Sequence, residues 1–189
     1  MPLTPIPRLW KAEKVSHSYV ADYKPFSFVD GEGVRCSLYV SGCLFKCEGC
    51  FNEDAWSFRC GQPYTDALGD RIMADLAHES VQGLSILGGE PFLNTQVCLE
   101  VVGRLRAEYG HSKDVWCWSG YTFDELIVDS DDKRALLAEV DVLCEGRFEE
   151  EQKDLTLAFR GSRNQRVLNA QESLAAGHAV WWESARVEA

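Results

Sequence analysis

No apolar run in this 189-residue chain approaches the roughly 20 residues that a membrane-spanning helix needs. Positive charge is also in short supply. Against 30 Asp and Glu stand 19 Lys and Arg, a formal net charge of -11, whereas general affinity for nucleic acid requires clustered cations that release counterions from phosphate. The opening MPLTPIPRLWKAEKV is broken by Pro2, Pro5 and Pro7 and lacks the apolar stretch of a secretory signal. The sequence therefore reads as cytoplasmic, with no membrane or nucleic-acid partner. Histidine is sparse: His17, His78, His111 and His178 are scattered, and none neighbours another candidate metal ligand. Internal repeats and low-complexity linkers are missing as well.

What is present suits a single α/β domain. Hydrophobic residues make up 46% and charged ones 26% of the chain, the balance of a soluble globular protein. The length fits one domain over 1–189, with an irregular N-terminal segment 1–29 and a C-terminal extension 169–189. Eight cysteines in a reducing compartment are metal ligands or small core residues rather than disulfides. Cys36, Cys98, Cys117 and Cys144 each sit within apolar stretches and read as core. Cys60, in FRCGQP, is ambiguous.

Periodicity orders the elements. RCSLYVS reads as a short buried strand bounded upstream by the turn DGEG. In TDALGDRIMADLAHES, Thr65 is a plausible N-cap, Asp66 lies in the first turn, and Leu68, Ile72 and Leu76 fall on one helical face. GLSIL is a strand ending in GGEP, Val97, Val101 and Leu105 mark a second helix, and Asp114 to Trp118 is a third strand. TFDELI and DDKRALLAEV read as helical pieces, VDVLC as a fourth strand, and RVL and HAVWW as short final strands around a helix near AQESLAAG ended by Gly177. Strands alternating with helices imply a parallel sheet. In such sheets ligands bind at the carboxyl ends of the strands. The loops SGCLFKCEGCFN, GGEP, SGY and EGR all follow strands and so fall on one edge.

The first of these loops holds Cys43, Cys47 and Cys50. A structural zinc site closes with four Cys or His ligands, and the nearest outside candidates are Cys36, buried by the strand pattern, and Cys60. The C-x3-C-x2-C spacing suits a cubane iron-sulfur cluster, whose corners need thiolates presented from several directions. Three thiolates leave one iron open, and an open position on a metal is where chemistry takes place. Farther on, FRGSRNQR brings Arg160, Arg163 and Arg166 together with no carboxylate between them, either as a solvated basic turn or as a docking patch for an acidic partner.

The cysteine loop followed by GGEP resembles the radical S-adenosylmethionine enzymes. DGEGVRCSLYVSGCLFKCEGCFN, WCWSGYTFDEL, VLCEGRF and FRGSRNQRV, spread over Asp30 to Val167, are similar to the glycyl radical activases that serve anaerobic ribonucleotide reductase. The resemblance implies an incomplete, partial TIM-like barrel and two cofactors, a [4Fe-4S] cluster on Cys43, Cys47 and Cys50 and S-adenosylmethionine filling its vacant iron. It implies reductive cleavage to a 5'-deoxyadenosyl radical that takes hydrogen from a glycine of the partner reductase, with a one-electron donor such as flavodoxin.

The resemblance also assigns residues. Gly88 and Gly89 let the backbone approach the methionine moiety, Glu90 supplies a carboxylate, Ser119 donates a hydroxyl with Gly120 beside it, and Arg147, in the order Glu145, Gly146, Arg147, meets the methionine carboxylate. Gly49 stands where many of these enzymes carry an adenine-stacking aromatic, which leaves Phe51 or Phe45 for that role, with Trp56 packed nearby. Glu32 stands where the activases usually show proline. Alternatives are an activase of another glycyl radical enzyme such as pyruvate formate-lyase, a radical enzyme acting on a free metabolite, and a non-catalytic zinc or electron-transfer module. Paired Trp181 and Trp182 read as core packing or a partner surface.

Overall fold

A computed structural model describes residues 6–185, so Pro2, Pro5 and the last four residues of the C-terminal extension lie outside the described residues. The N-terminal segment carries a short helix α1 (Ala12–Val15) and then a nine-residue strand β1 (Tyr19–Ser27). After a turn come β2 (Val34–Val40), the cysteine loop, β3 (Gln62–Pro63) and helix α2 (Asp66–Leu76). Thr65 caps α2 as its sequence predicts, accepting a hydrogen bond from the Leu68 amide. There follow β4 (Val81–Gly88), α3 (Thr95–Tyr109), β5 (Asp114–Ser119), α4 (Phe123–Leu126), α5 (Asp131–Glu139), β6 (Val142–Glu145), β7 (Arg166–Asn169) and α6 (Ala170–Ala176). Gly177 ends α6 in the left-handed conformation, φ 71°.

The strands form one sheet in the order β3-β1-β2-β4-β5-β6-β7. Its centre, β2, β4, β5 and β6, is parallel, each step bridged by a helical crossover. The class is mixed α/β, but the expectation of a parallel sheet holds only there. β1 runs antiparallel to both β2 and β3, and β7 runs antiparallel to β6, because a tight turn or a loop without a crossover returns the chain beside itself. The end strands β3 and β7 do not pair, so the sheet is open rather than wrapped into a barrel.

Two local expectations also change. Residues 19–27, expected to be irregular, form β1: it lies near an edge, exposes Asp22, Lys24 and Phe26, is interrupted by Pro25, and its ladder shifts register between Lys24 and Ser27. HAVWW forms no strand beyond an isolated bridge from Leu168 to Trp181.

Alternate residues divide the sheet into two unlike faces. One face carries Leu38, Val40, Leu84, Ile86, Val115 and Leu143 against α2, α3 and α5, and this is the main core. Cys36, Cys98 and Cys117 are buried in it, as their apolar surroundings predict. The other face has no α-helix packed on it among the described residues. It holds Trp116, Val142, Cys144 and Val167, with Trp118, Phe159 and Trp182 against them.

Arg35 lies on that second face with no solvent exposure. Its guanidinium donates to Ser85 Oγ (2.7 Å), Leu84 O (3.1 Å) and Glu32 O (3.2 Å), pairs with Asp114, and stacks 5.3 Å from the Trp116 ring. A charge so enclosed is tolerated only because its donors are satisfied, and removing it strands the acceptors. We predict that Arg35→Ala loses about 2–3 kcal/mol of stability by denaturant unfolding; a loss below about 1 kcal/mol would mean that water replaces the guanidinium without penalty.

Candidate active site at the strand ends

The cysteine loop leaves β2 under close backbone control. Gly42, at φ +100°, presses on the Phe58 ring, where a Cβ would come within 2.0 Å of Cδ1. Its amide donates to Ala55 O (2.7 Å) and the Cys43 amide to Trp56 O (3.1 Å), which ties the loop's start to the short helical turn Glu53–Trp56. The Cys50 amide donates to Cys47 O (3.1 Å), closing a turn over Gly49 at φ +72°. That left-handed φ favours glycine because an L side chain would be strained there; the Glu150 carboxylate that a Cβ would meet is the movable end of an exposed side chain.

Cys43, Cys47 and Cys50 are free and half-buried, and all three line one cavity of about 450 Å³ on the helix-free face, within the usual size range of small-molecule sites. Cys60 does not line it. That residue sits toward the β1 edge, where its carbonyl accepts from Ser41 Oγ (2.7 Å). Among the described residues no three His, Cys, Asp or Glu side chains converge on a point that would hold a single ion. Three thiols presented by one loop to one cavity suit the several thiolate-bound corners of a cubane cluster. Two buried N–H groups without protein partners, Trp56 Nε1 and Arg160 Nε, belong to residues lining the same cavity. Thiols, orphaned donors and space together fit such a cluster with a ligand beside it.

Burial, with the Glu90 charge second, pushes the Cys43 thiol up to about 12, and burial also raises that of Cys47. A metal that displaces the proton relieves that penalty, since the negative thiolate gains a cation.

Gly88 and Gly89 line the cavity, but their missing side chains serve contact between loops. A Cβ on Gly88 would lie 2.8 Å from Val40 O, and one on Gly89 2.6 Å from Gly42 O. The Gly89 amide donates to Val40 O (2.7 Å) and the Glu90 amide to Gly42 O (2.8 Å), so the β4 loop is stitched to the base of the cysteine loop. Glu90 is 1% exposed, and its carboxylate accepts from Phe92 N (2.9 Å), Ser119 Oγ (2.8 Å) and Gly120 N (2.8 Å). Burial raises it to about 7, while these donors pull it down. Glu90 is thus a clamp between loops. The Ser119 hydroxyl donates a hydrogen bond to Glu90 and accepts one from Tyr121 N (3.0 Å), so it is engaged within the protein in this arrangement.

Arg147 lies close enough to the cysteine loop for its charge to pull the Cys47 thiol down against the effect of burial. It pairs with Glu125 at 2.8 Å and lies 4.7 Å over the Phe45 ring, and it does not line the cavity. Glu125 is held in the capping box that starts α4, which fixes a carboxylate where it captures the guanidinium. Phe45 is an anchor rather than a free stacking surface: it meets Trp10 and Tyr121 edge to face at 5.0 Å each and closes on Gly120. Phe51 is fully exposed at the cavity and is the aromatic free to turn toward a ligand.

The Arg160, Arg163 and Arg166 cluster does not exist as a patch. Arg163 pairs with Asp154 (3.1 Å) and Arg166 with Glu145 and Asp124. Arg160 turns into the cavity wall, its guanidinium 5.0 Å over the Trp181 ring. Cys144, read as core, is 3% exposed but forms part of the cavity floor. Sequence reasoning missed Asp30, Trp118, Lys153 and Phe159 in this lining. The alternation of Trp116 and Trp118 about Cys117 could have signalled a second, aromatic face.

Comparison with known proteins agrees with this geometry. A family model described as a 4Fe-4S single cluster domain matches residues 29–168. The chain is 44% identical over 147 residues to a protein of Vibrio cholerae, covering 76% of this chain and 92% of that one. It is 41% identical over 149 residues to one of Escherichia coli K12, covering 77% and 94%, and 36% identical over 145 residues to one of Enterobacteria phage T4, covering 76% and 88%. All three are named anaerobic ribonucleoside-triphosphate reductase-activating protein.

Gly89→Ala should test the stitched loops. The added methyl must displace the Gly42 backbone, an overpacking cost of roughly 1–3 kcal/mol, and with it the root of the cysteine loop. Iron and sulfide per chain after anaerobic reconstitution should fall below those of the parent while the far-ultraviolet circular dichroism is kept; full iron content would show that the loop does not depend on this contact.

Proposed function

The chain belongs to the family of anaerobic ribonucleoside-triphosphate reductase-activating proteins, and from that premise we propose that it activates an anaerobic ribonucleotide reductase by radical S-adenosylmethionine chemistry. The observation that carries this reading is that Cys43, Cys47 and Cys50, three free thiols of one loop, share one cavity at the carboxyl ends of parallel strands, where the other cysteine in the lining, Cys144, is a buried residue of β6 outside that loop. A [4Fe-4S] cluster bound there would pass one electron to the sulfonium of S-adenosylmethionine, whose cleavage gives methionine and a 5'-deoxyadenosyl radical able to take hydrogen from a glycine of the reductase.

The chain's own part is to hold, orient and exclude. Cys43, Cys47 and Cys50 are the three thiolate ligands in this reading, leaving one coordination position for the cosubstrate. Gly88 and Gly89 supply a side-chain-free wall, and Glu90 keeps that wall, Ser119 and Gly120 in one arrangement. Arg160, rather than Arg147, is the guanidinium on the wall, suited to the carboxylate of an amino-acid ligand. Trp118, Phe148 and Phe159 line the same space with aromatic surface, which limits water around a reactive intermediate. The cavity is open to one side, as a protein substrate requires, and the electron would come from a one-electron donor such as flavodoxin.

The test is electron paramagnetic resonance on the reconstituted, reduced protein mixed with S-adenosylmethionine and its host's anaerobic reductase. A glycine-type doublet on the reductase, dependent on S-adenosylmethionine, is expected; 5'-deoxyadenosine without a doublet would move the substrate elsewhere, and an intact cluster that forms no 5'-deoxyadenosine would end the radical reading. Cys43→Ala, Cys47→Ala and Cys50→Ala should each abolish activity, whereas Cys60→Ala should keep its cluster. Loss of the cluster in Cys60→Ala would overturn the three-cysteine assignment.

A further inference from the structure

The turn between β1 and β2 forms one wall of the cavity through Val29 and Asp30. Four hydrogen bonds fasten it to the sheet. The Asp30 carboxylate accepts from Ser27 Oγ (2.7 Å) and Tyr39 OH (2.8 Å), the Asp30 carbonyl accepts from Ser85 Oγ, and the Glu32 carbonyl accepts from buried Arg35. A further tie comes from the other end of the chain. Glu32 Oε1 accepts from Trp182 Nε1 (2.9 Å) and from Ser184 Oγ, across about 150 residues of sequence.

The segment that supplies these donors lies beyond the stretch matched by the family model, which ends at residue 168. It is nonetheless docked firmly. The Trp182 amide donates to Val167 O (2.8 Å) and the Asn169 amide to Val180 O (2.9 Å). The Trp182 ring meets Trp116 edge to face at 5.9 Å, and Ala185 is buried in the aromatic cluster of that face. Trp181 stacks on Arg160, whose guanidinium also reaches Ala185 O (3.5 Å). One short stretch therefore touches two parts of the cavity wall, the Val29–Asp30 turn through Glu32 and the opposite loop through Arg160.

We propose that residues 181–185 are a positioning element for the cavity: Trp182 and Ser184, through Glu32, hold the turn that carries Val29 and Asp30. Glu32 in this arrangement is a positioning residue with no contact to substrate. A carboxylate accepting two donors on a half-buried surface is a charge-assisted contact, and its geometry fails if either end moves. A turn with Gly31 at φ +117° and Gly33 at φ +70° on either side of Glu32 has the backbone freedom that makes such a tether useful. The consequence for S-adenosylmethionine rests on the function proposed above; the tether itself does not.

The experiment is hydrogen exchange on the reconstituted full-length protein, read by mass spectrometry, alongside steady-state cleavage of S-adenosylmethionine. Glu32→Ala, and separately Trp182→Phe with Ser184→Ala, should speed exchange of the 28–33 amides about tenfold, the scale of one charged hydrogen bond, with exchange in β4 and β5 unchanged. Trp182→Phe keeps the ring against Trp116 and so guards against loss of packing. Glu32→Gln, which keeps an acceptor, should restore slow exchange, and all three changes together should be no faster than Glu32→Ala alone. In the same variants KM for S-adenosylmethionine should rise with kcat retained. Unchanged exchange over 28–33 in Glu32→Ala overturns the tether. Faster exchange with an unchanged KM overturns its positioning of the cavity. A parent protein that does not cleave S-adenosylmethionine defeats the radical reading instead, and the exchange arm then decides the tether by itself.

Discussion

The Glu90 carboxylate is the contact on which the rest of the site depends. A carboxylate with 1% exposure is stable only if its oxygens are occupied, and here the occupants come from separate loops. Phe92 N belongs to its own turn, while Ser119 Oγ and Gly120 N end β5. Its own amide reaches Gly42 at the root of the cysteine loop. Three strand ends are thereby fixed against one another by one residue. The glycines around it follow from this: Gly42, Gly88, Gly89 and Gly120 each stand where a Cβ would strike a neighbouring loop.

Much of this was legible in the sequence because buried parallel strands announce themselves as short apolar runs. β2, β4, β5 and β6 stood out, as did the faces of α2 and α3, and the rule that loops after such strands share an edge placed the cysteine and GGEP loops together. β1 was not legible. YVADYKPFS mixes charge with a proline, and its strand character comes from pairing with β2 rather than from burial on both faces. β3, with two residues, has no local signal at all.

The site was legible at its cysteines and less so elsewhere, and the reason is partner competition. Ser119 and Arg147 have suitable chemistry for a ligand, but sequence cannot show that the Ser119 hydroxyl donates to Glu90 or that the helix-capping Glu125 pairs with the guanidinium. Arg160 shows the converse. It was one of three arginines in a basic stretch, and only the packing of Trp181 beneath it separates it from Arg163 and Arg166, which acidic neighbours neutralise.

Main-chain hydrogen bonds contribute much of the cysteine loop's form. Gly42 N to Ala55 O, Cys43 N to Trp56 O, and Cys50 N to Cys47 O are all main-chain contacts, and Gly49 supplies the left-handed φ of the last of these turns. In the reading proposed above, holding the loop is therefore in part separate from holding a metal group. A loop shaped in advance spends little binding free energy on ordering itself. The same separation applies to the wall opposite, where Asp30 and Glu32 are fastened by Tyr39, Arg35 and Trp182. A reactive intermediate demands small tolerances in position, and a cavity whose walls are each fixed by contacts outside the ligand can meet that demand before any ligand arrives.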